Sequence, residues 1–515
     1  MKYFLLKYLL WLATACMLWS ALAGAQNAPA SAPTPSTPKQ LAAAIDAQIE
    51  QPRFASASWG IAVVSLDTGR TLYSHDAERL LQPASTAKLY TAALVLDTIG
   101  TDYRIPTQLL ATRQLVQGRL EGPLILRGMG DPTLGTPDTN MDWTDQLASQ
   151  LAASGVHEVQ GDLIADDSYF QGPQDGSGWE ARDLQSWFAV PSSALSVQEN
   201  MVHVTVTPAT APGHPAALTF DLAGAIPHVV NTLTTSTQDT RNDVNLYRAP
   251  GDATLYAFGH IAAHAEPQTF KLAIADPAWY AGTQLREALE RHGVHVHGAL
   301  RVRHWPEQDS TDPGKAVVLA QVLSPPVMEI LNRGLKRSQN LYLQNLLQIA
   351  GVKALANAGQ SGDPPAGFLS SEAWGTRALK DLLERIGIAP GMAQIEEGAG
   401  LSRKNLSTPN AFVRLLTYLA SQSYAAQLRD ALPAAGVDGT LEGRMRNTAA
   451  ADNVRAKSGS MSNVRCLVGY VTTAAGERLA FAIMLNNFAR ADDEPSPSRN
   501  LDSIVELLAA FSGKS

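Results

Sequence analysis

Two hairpin patterns near opposite ends of this 515-residue chain confine what it can fold into. Trp59 to Leu66, the turn Asp67-Thr68-Gly69 and Arg70 to Ser74 make the first. Cys466 to Thr473, the turn Ala475-Gly476-Glu477 and Arg478 to Leu485 make the second. If both ends contribute strands to one sheet, Lys457, on an edge strand just before the second hairpin, comes beside the helix that follows Gln82-Pro83. Residues hundreds of positions apart then share a site.

The texture between the hairpins changes twice. From about Ile105 to Leu323, short alternating runs such as Met201 to Thr207 and Ala217 to Leu222 are separated by Gly, Pro and Asp turns. Val327 to Ala350 and Glu372 to Ile386 then return to helical spacing, and Leu41 to Ile49 reads as a short amphipathic helix. A chain of this length exceeds one ordinary core. The expected division is residues 40–105 and 325–515 for the two parts of an α/β domain with an antiparallel sheet flanked by helices. Residues 106–324 are expected to be a mostly β insertion in two subdomains.

The N-terminus reads as an export signal. Met1-Lys2 and Lys7 precede an apolar stretch from Tyr8 to Ala23, and Ala23-Gly24-Ala25 offers a small-x-small cleavage site. Residues 1–25 are thus expected to be a signal peptide cleaved after Ala25; a retained membrane anchor is the alternative. Residues 26–39, rich in Pro, Ala and Ser, read as a flexible tether. Removal of the leader takes Cys16 with it and leaves Cys466, in a predicted core strand, without a disulfide partner. Leu501 to Phe511 suits a packed helix and is too short to span a bilayer, so no permanent anchor is expected. A net charge of −8 without a dense Lys/Arg run argues against nucleic acid as a partner.

Three short motifs carry chemistry. Ser85-Thr86-Ala87-Lys88 follows a break at Gln82-Pro83 and opens the apolar helical run Leu89 to Leu96. Residues three apart share a helical face, so the Lys88 amine can reach the Ser85 hydroxyl. A partly desolvated lysine can take that proton and activate the serine as a nucleophile. Ser338-Gln339-Asn340 stands at another helix start, and Lys457-Ser458-Gly459-Ser460 precedes the strand Arg465 to Val471. An isolated S-x-x-K match would most simply be a capping serine and a solvated lysine; three motifs in order are another matter.

In this order the three resemble the S-x-x-K, S-x-N and K-[ST]-G signatures of penicillin-binding proteins and serine β-lactamases. The gap from Ser85 to Ser338 is more than twice that from Ser338 to Lys457. That spacing is similar to the D-alanyl-D-alanine carboxypeptidase/endopeptidase family of low-molecular-mass penicillin-binding proteins, which carries a large insertion after the nucleophile helix. Gly128 to Leu134, Gly161 to Phe170, Trp187 to Asn200 and Gly398 to Arg403, with Asn405 and Thr408-Pro409, resemble further segments of that family.

The resemblance implies a periplasmic serine hydrolase that cleaves peptidoglycan stem peptides through an acyl-serine intermediate, is acylated by β-lactams, and needs no metal or other cofactor. It implies that Ser85 attacks, Lys88 takes its proton, and Ser338 relays that proton to the leaving amine. Asn340 would donate to a substrate carbonyl and Lys457 would supply positive potential. Ser458 and Ser460 would bind the terminal carboxylate, the backbone of Ser85 and Ser460 would form the oxyanion hole, and Gly459 would let strand and substrate approach. The chain departs from the family at Gln339, where Asp or Asn is usual, at Ser458 and Ser460, usually Thr, at Ala399, usually Ser, and at Leu343-Gln344, often Ala-Glu. Two rival readings are a β-lactamase or esterase on the same scaffold, and a non-catalytic cell-wall scaffold.

Three other clusters invite a site and have plainer explanations. Asp131, and the pair Asp166-Asp167, suit turn chemistry. His295, His297 and His304 lack the carboxylate or cysteine company of a zinc site.

Overall fold

Both hairpins join one five-stranded antiparallel sheet. Its spatial order is Thr71–His75, Ser58–Ser65, Arg478–Asn486, Val464–Thr472 and Arg455–Met461. Ile61 stands opposite His75 on one side and Ile483 on the other, which ties the two chain ends together residue by residue. The strand carrying Lys457 is the edge strand, paired to Val464–Thr472 through Lys457 opposite Val468. This computed structural model describes residues 34–515 apart from 138, 140, 238–239, 308–315, 362–366 and 491–492. The predicted leader and residues 26–33 of the predicted tether lie outside the described residues.

The sheet is covered on both faces, and its central strand reads accordingly. Residues 479–486 are all buried. Leu479, Phe481, Ile483 and Leu485 pack against the terminal helices Pro38–Ile49 and Ser498–Ala510, among Leu41, Ile45, Ile504, Val505 and Leu508. Ala480, Ala482 and Met484 face the other way, toward helices Lys88–Thr98 and Pro409–Ala420. This is the period-2 alternation of a strand with no solvent face. Cys466 lies buried in that second layer. The first helix starts at Pro38, inside the predicted tether, because Thr37 and Gln40 cap it reciprocally.

The helical run expected from Val327 to Ala350 is two helices, Val327–Lys336 and Asn340–Ser361. They are parted by Ser338, which has φ +56°. A non-glycine residue in that region cannot continue a helix and persists only where its surroundings hold it.

The chain leaves for its insertion at Ile105 and returns at Ser324, where Ser324 N–H donates to Ile105 O at 2.9 Å. The insertion is rich in strands and also holds two helices that the strand pattern did not announce. Helices Trp143–Ala153 and Pro277–Arg291 lie within it, and the second was signalled by an Asp276 cap and Pro277 in its first turn. The first inserted sheet runs Leu300–Arg303, Leu163–Asp166, Leu124–Arg127, Pro106–Ala111, Val317–Leu323, and Leu163–Asp166 is parallel to both neighbours. Further on, Met201–Thr207 pairs with Ala217–Phe220 and Gln268–Ala273, and a separate four-stranded sheet forms around Thr254–Ala262. Among the described residues, no helix is long and apolar enough to cross a membrane.

Candidate active site

Ser85 sits in a 3-10 turn, Ala84–Ala87, that runs directly into helix Lys88–Thr98. The turn is clamped to the central strand by Asn486, whose Oδ1 accepts from Gln82 N–H at 2.7 Å and whose Nδ2 donates to Gln82 O at 3.1 Å. Thr86 Oγ1 donates to Pro83 O at 2.6 Å and closes it. Ser85 keeps partial access to solvent while Lys88, three residues on, has none.

Lys88 Nζ donates to Ser85 Oγ at 3.0 Å, to Asn340 Oδ1 at 2.6 Å and to the Ala399 carbonyl. These contacts use all three protons of an ammonium. Burial lowers the Lys88 pKa to about 7, against the attraction of the Glu397 carboxylate, which works to raise it. When the amine is neutral it keeps two protons for Asn340 and Ala399, and its lone pair can accept the Ser85 proton.

Ser338 and Asn340 enter from the break between the two helices. Glu199 holds that break: it accepts from Arg337 Nη1 at 2.9 Å, Arg337 Nη2 at 3.1 Å, Gln339 Nε2 at 2.9 Å and Tyr342 OH at 2.9 Å. Gln339, one of the departures noted in the sequence, therefore turns away from Lys88 and toward the insertion. Asn340 Nδ2 donates to Phe188 O at 2.6 Å, so its amide links Lys88 to a segment within the insertion.

Lys457 reaches the same place from the edge strand. Its fully buried Nζ donates to Ser338 Oγ at 2.8 Å and to Ser458 O at 2.7 Å. Burial first, then the positive charges of Lys88 and Arg444, holds its pKa well below the ordinary lysine value. Ser458 Oγ lies 2.7 Å from Thr440 Oγ1, and Ser460 is exposed. Gly459 has no room for a side chain, since a Cβ there would stand 2.6 Å from Pro83 O and 3.2 Å from Ala84 Cβ. The edge strand thus presses against the turn that presents Ser85. All eight residues singled out in the three motifs belong to one neighbourhood.

Sequence reasoning missed the carboxylate at its centre. Glu397 is fully buried and accepts from Ala399 N–H at 2.7 Å, Leu401 N–H at 2.9 Å, Ser402 N–H at 3.3 Å and Asn405 Nδ2 at 2.7 Å. It shapes the loop whose Ala399 carbonyl faces Lys88. The run Glu397-Gly398-Ala399-Gly400 was noticed for its lost hydroxyl, and a Glu followed by two glycines was the available signal. Gln344, a second departure, also supports this loop: its Oε1 accepts from Gly398 N–H at 2.7 Å and its Nε2 donates to Glu372.

The plainer clusters are structural. Asp131 accepts from Thr133 N–H at 2.8 Å and Thr133 Oγ1 at 2.7 Å, as a turn-former does. Asp166 accepts from Ser168 N–H at 3.0 Å and pairs with Arg303 at 3.1 Å. His295 bonds Glu290 at 2.8 Å, whereas His304 lies 2.9 Å from Asp167, an acid partner the sequence did not reveal. No group of three or more His, Cys, Asp or Glu able to hold a metal ion occurs among the described residues.

The profile of the D-Ala-D-Ala carboxypeptidase 3 (S13) family matches residues 41–510. A D-alanyl-D-alanine carboxypeptidase of Actinomadura sp. (strain R39) is 34% identical over 480 residues, covering 91% of this chain and 84% of the relative. The D-alanyl-D-alanine carboxypeptidase DacB of Haemophilus influenzae is 27% identical over 451 residues, 85% of this chain and 88% of the relative. The crystal structure of penicillin binding protein 4 (dacB) from Haemophilus influenzae superimposes with a TM-score of 0.75 at 25% identity, covering 90% of this chain and 97% of that one. A second structure of that protein, complexed with a β-lactam, gives a TM-score of 0.71 at 23% identity over 90% of this chain and 97% of that one.

Proposed function

Because the chain belongs to the D-Ala-D-Ala carboxypeptidase 3 (S13) family, and so to the serine peptidases, we propose that it removes terminal D-alanine from peptidoglycan stem peptides through an ester on Ser85. The observation that carries this reading is the fully buried Lys88 amine, 3.0 Å from Ser85 Oγ with a pKa of about 7. A base poised near the working pH combines availability with driving force.

In the forward step Lys88 Nζ takes the Ser85 proton while Oγ bonds to the carbonyl carbon between two D-alanines. The resulting oxyanion accepts from the backbone N–H groups of Ser85 and Ser460. Losing one such donor typically costs about 10²–10³ in rate. The proton then passes by way of Ser338 Oγ, which the Lys457 amine orients, to the departing D-alanine nitrogen as the C–N bond breaks. Lys457 supplies positive potential for the terminal carboxylate, which the Ser458 and Ser460 hydroxyls receive. Asn340 donates to a substrate carbonyl. Water repeats the sequence on the ester and restores Ser85.

The same attack on the D-alanyl bond of a cross-link gives D,D-endopeptidase activity, and attack on a strained lactam carbonyl leaves a slowly hydrolysed ester. The leader pattern at residues 1–25 supports a periplasmic location, where such substrates occur. The test is release of D-alanine from an N-acylated stem pentapeptide, with cross-linked muropeptides assayed in parallel. Activity in the wild type and none in Ser85→Ala is expected; equal release by both would overturn the assignment of Ser85.

A further inference from the structure

Arg248, in the insertion, carries a charge with no hydrogen-bonded partner in the fold. The residue is 9% exposed, and Nη1 is sealed from solvent without a hydrogen-bond partner. Among the described residues its guanidinium makes no hydrogen bond and no ion pair; only its backbone N–H is engaged, by Gln185 Oε1 at 2.7 Å. Burial works against its charge, and the Asp252 carboxylate offsets part of that through space. Taking a cation out of water without a partner is costly, and proteins ordinarily pair such a group.

Arg248 lines a cavity of about 570 Å³, within the roughly 300–1,000 Å³ of ligand pockets. Asp252 favours its charge through space, but no carboxylate on the cavity walls hydrogen-bonds the guanidinium, and Asp167, Asp252 and Asp276 have other partners. Asp167 accepts from Gln174 Nε2 at 2.7 Å and Ser193 Oγ at 2.7 Å and lies 2.9 Å from His304. Asp276, on the far side of His304 at 3.5 Å, also caps a helix through Trp279 N–H at 2.9 Å. Asp252 accepts from Thr254 N–H at 2.9 Å. None of the eight motif residues lines the cavity.

It nevertheless shares a wall with the candidate active site. Pro191 to Ala194 continue the segment whose Phe188 carbonyl receives the Asn340 amide. From helix Asn340–Ser361, Gln348 Nε2 donates to Ser192 Oγ at 2.8 Å.

We propose that this cavity is a second ligand site, which takes a zwitterionic amino acid or short peptide by its free carboxylate, with Arg248 as the anchor. A planar guanidinium fork matches a carboxylate in two parallel hydrogen bonds, which here fall to Nε and Nη2, since Nη1 is sealed. The four acidic residues on the walls, Asp167, Asp175, Asp252 and Asp276, favour a ligand that brings an ammonium with its single negative charge and disfavour a polyanion such as phosphate.

The test is calorimetric titration of wild type, Ser85→Ala, Arg248→Met and Arg248→Lys with D-alanine, D-alaninamide and inorganic phosphate. D-alanine is expected to bind wild type and Ser85→Ala alike and to bind Arg248→Met about 10- to 100-fold more weakly, the worth of one or two charge-assisted hydrogen bonds. Arg248→Lys is expected to fall between, and D-alaninamide, which lacks the carboxylate, is expected not to bind. Without ligand, Arg248→Met is expected to melt above wild type, since it removes an unpaired buried charge. Unchanged D-alanine binding in both Arg248 variants would overturn the proposal, as would phosphate bound at Arg248 that D-alanine cannot displace. If Arg248→Met fails to fold, Arg248→Lys decides by the same comparison.

Discussion

Lys457 Nζ donates to Ser338 Oγ at 2.8 Å, across 119 positions of sequence, and so joins the edge of the sheet to the turn between two helices. A buried amine whose pKa is held well down is thereby bonded to a hydroxyl that is itself within the neighbourhood of Lys88. That arrangement makes the serine a relay with a buried amine behind it. Ser338→Ala is expected to lower the rate of D-alanine release by roughly 10²–10⁴, the usual worth of positioned proton transfer. Stopped-time assays at saturating substrate measure it, and a rate within a factor of about three of wild type would remove Ser338 from the proton path.

The acid limb of the pH profile belongs to Lys88. Its base form is populated above about 7, so acylation is expected to rise with pH through that value and to level off above it. Lys88→Arg, which cannot shed a proton at these pH values, is expected to lose the limb together with the activity. The same group affects stability. Between about 7 and 10.5 the unfolded chain holds a proton at Lys88 that the folded protein has lost, so its contribution to stability rises with pH across that window. Denaturant titrations at several pH values check the sign.

Glu397 raises the Lys88 pKa and is expected to set the position of that limb. Glu397→Gln removes the carboxylate charge, and the midpoint of the acylation profile is expected to move to lower pH. The substitution also replaces a four-bond acceptor, so the melting temperature is expected to fall by the equivalent of about 1–3 kcal/mol. A midpoint that stays in place or moves to higher pH would show that Glu397 does not act on Lys88.

Gly459 tests the contact between strand and turn. An added Cβ would meet the Pro83 carbonyl at 2.6 Å, and backbone cannot swing aside as a flexible side chain would. Gly459→Ala is expected to displace the Ala84–Ala87 turn and slow acylation by about tenfold or more while leaving far-UV circular dichroism intact. Acylation at the wild-type rate would mean that the turn has room to shift.

How much of this was legible depended on whether the signal was local. The hairpins were readable because alternation and Gly-containing turns are local patterns, whereas their register with one another was not, because it is set by contacts between distant strands. Ser85, Lys88, Ser338, Asn340 and Lys457 were readable as motifs. The partners that hold them were not. Glu199 lies more than a hundred positions from the residues it binds, and nothing in Gln198-Glu199-Asn200 announces that Arg337, Gln339 and Tyr342 will converge on it. A helix start at Ser338-Gln339-Asn340 was readable, but the left-handed backbone at Ser338 was not, since it leaves no mark in composition. The two inserted helices were a different failure: the Asp276-Pro277 start was available and was outweighed by the surrounding strand texture.

The account rests on Ser85 being the residue that becomes acylated. Intact-mass measurement of the protein from Asn27 onward after incubation with benzylpenicillin, beside Ser85→Ala, tests that directly. One stable adduct of the antibiotic's mass on wild type and none on Ser85→Ala is the predicted result. An unmodified wild type with the antibiotic left intact, or an adduct that persists in Ser85→Ala, would contradict it.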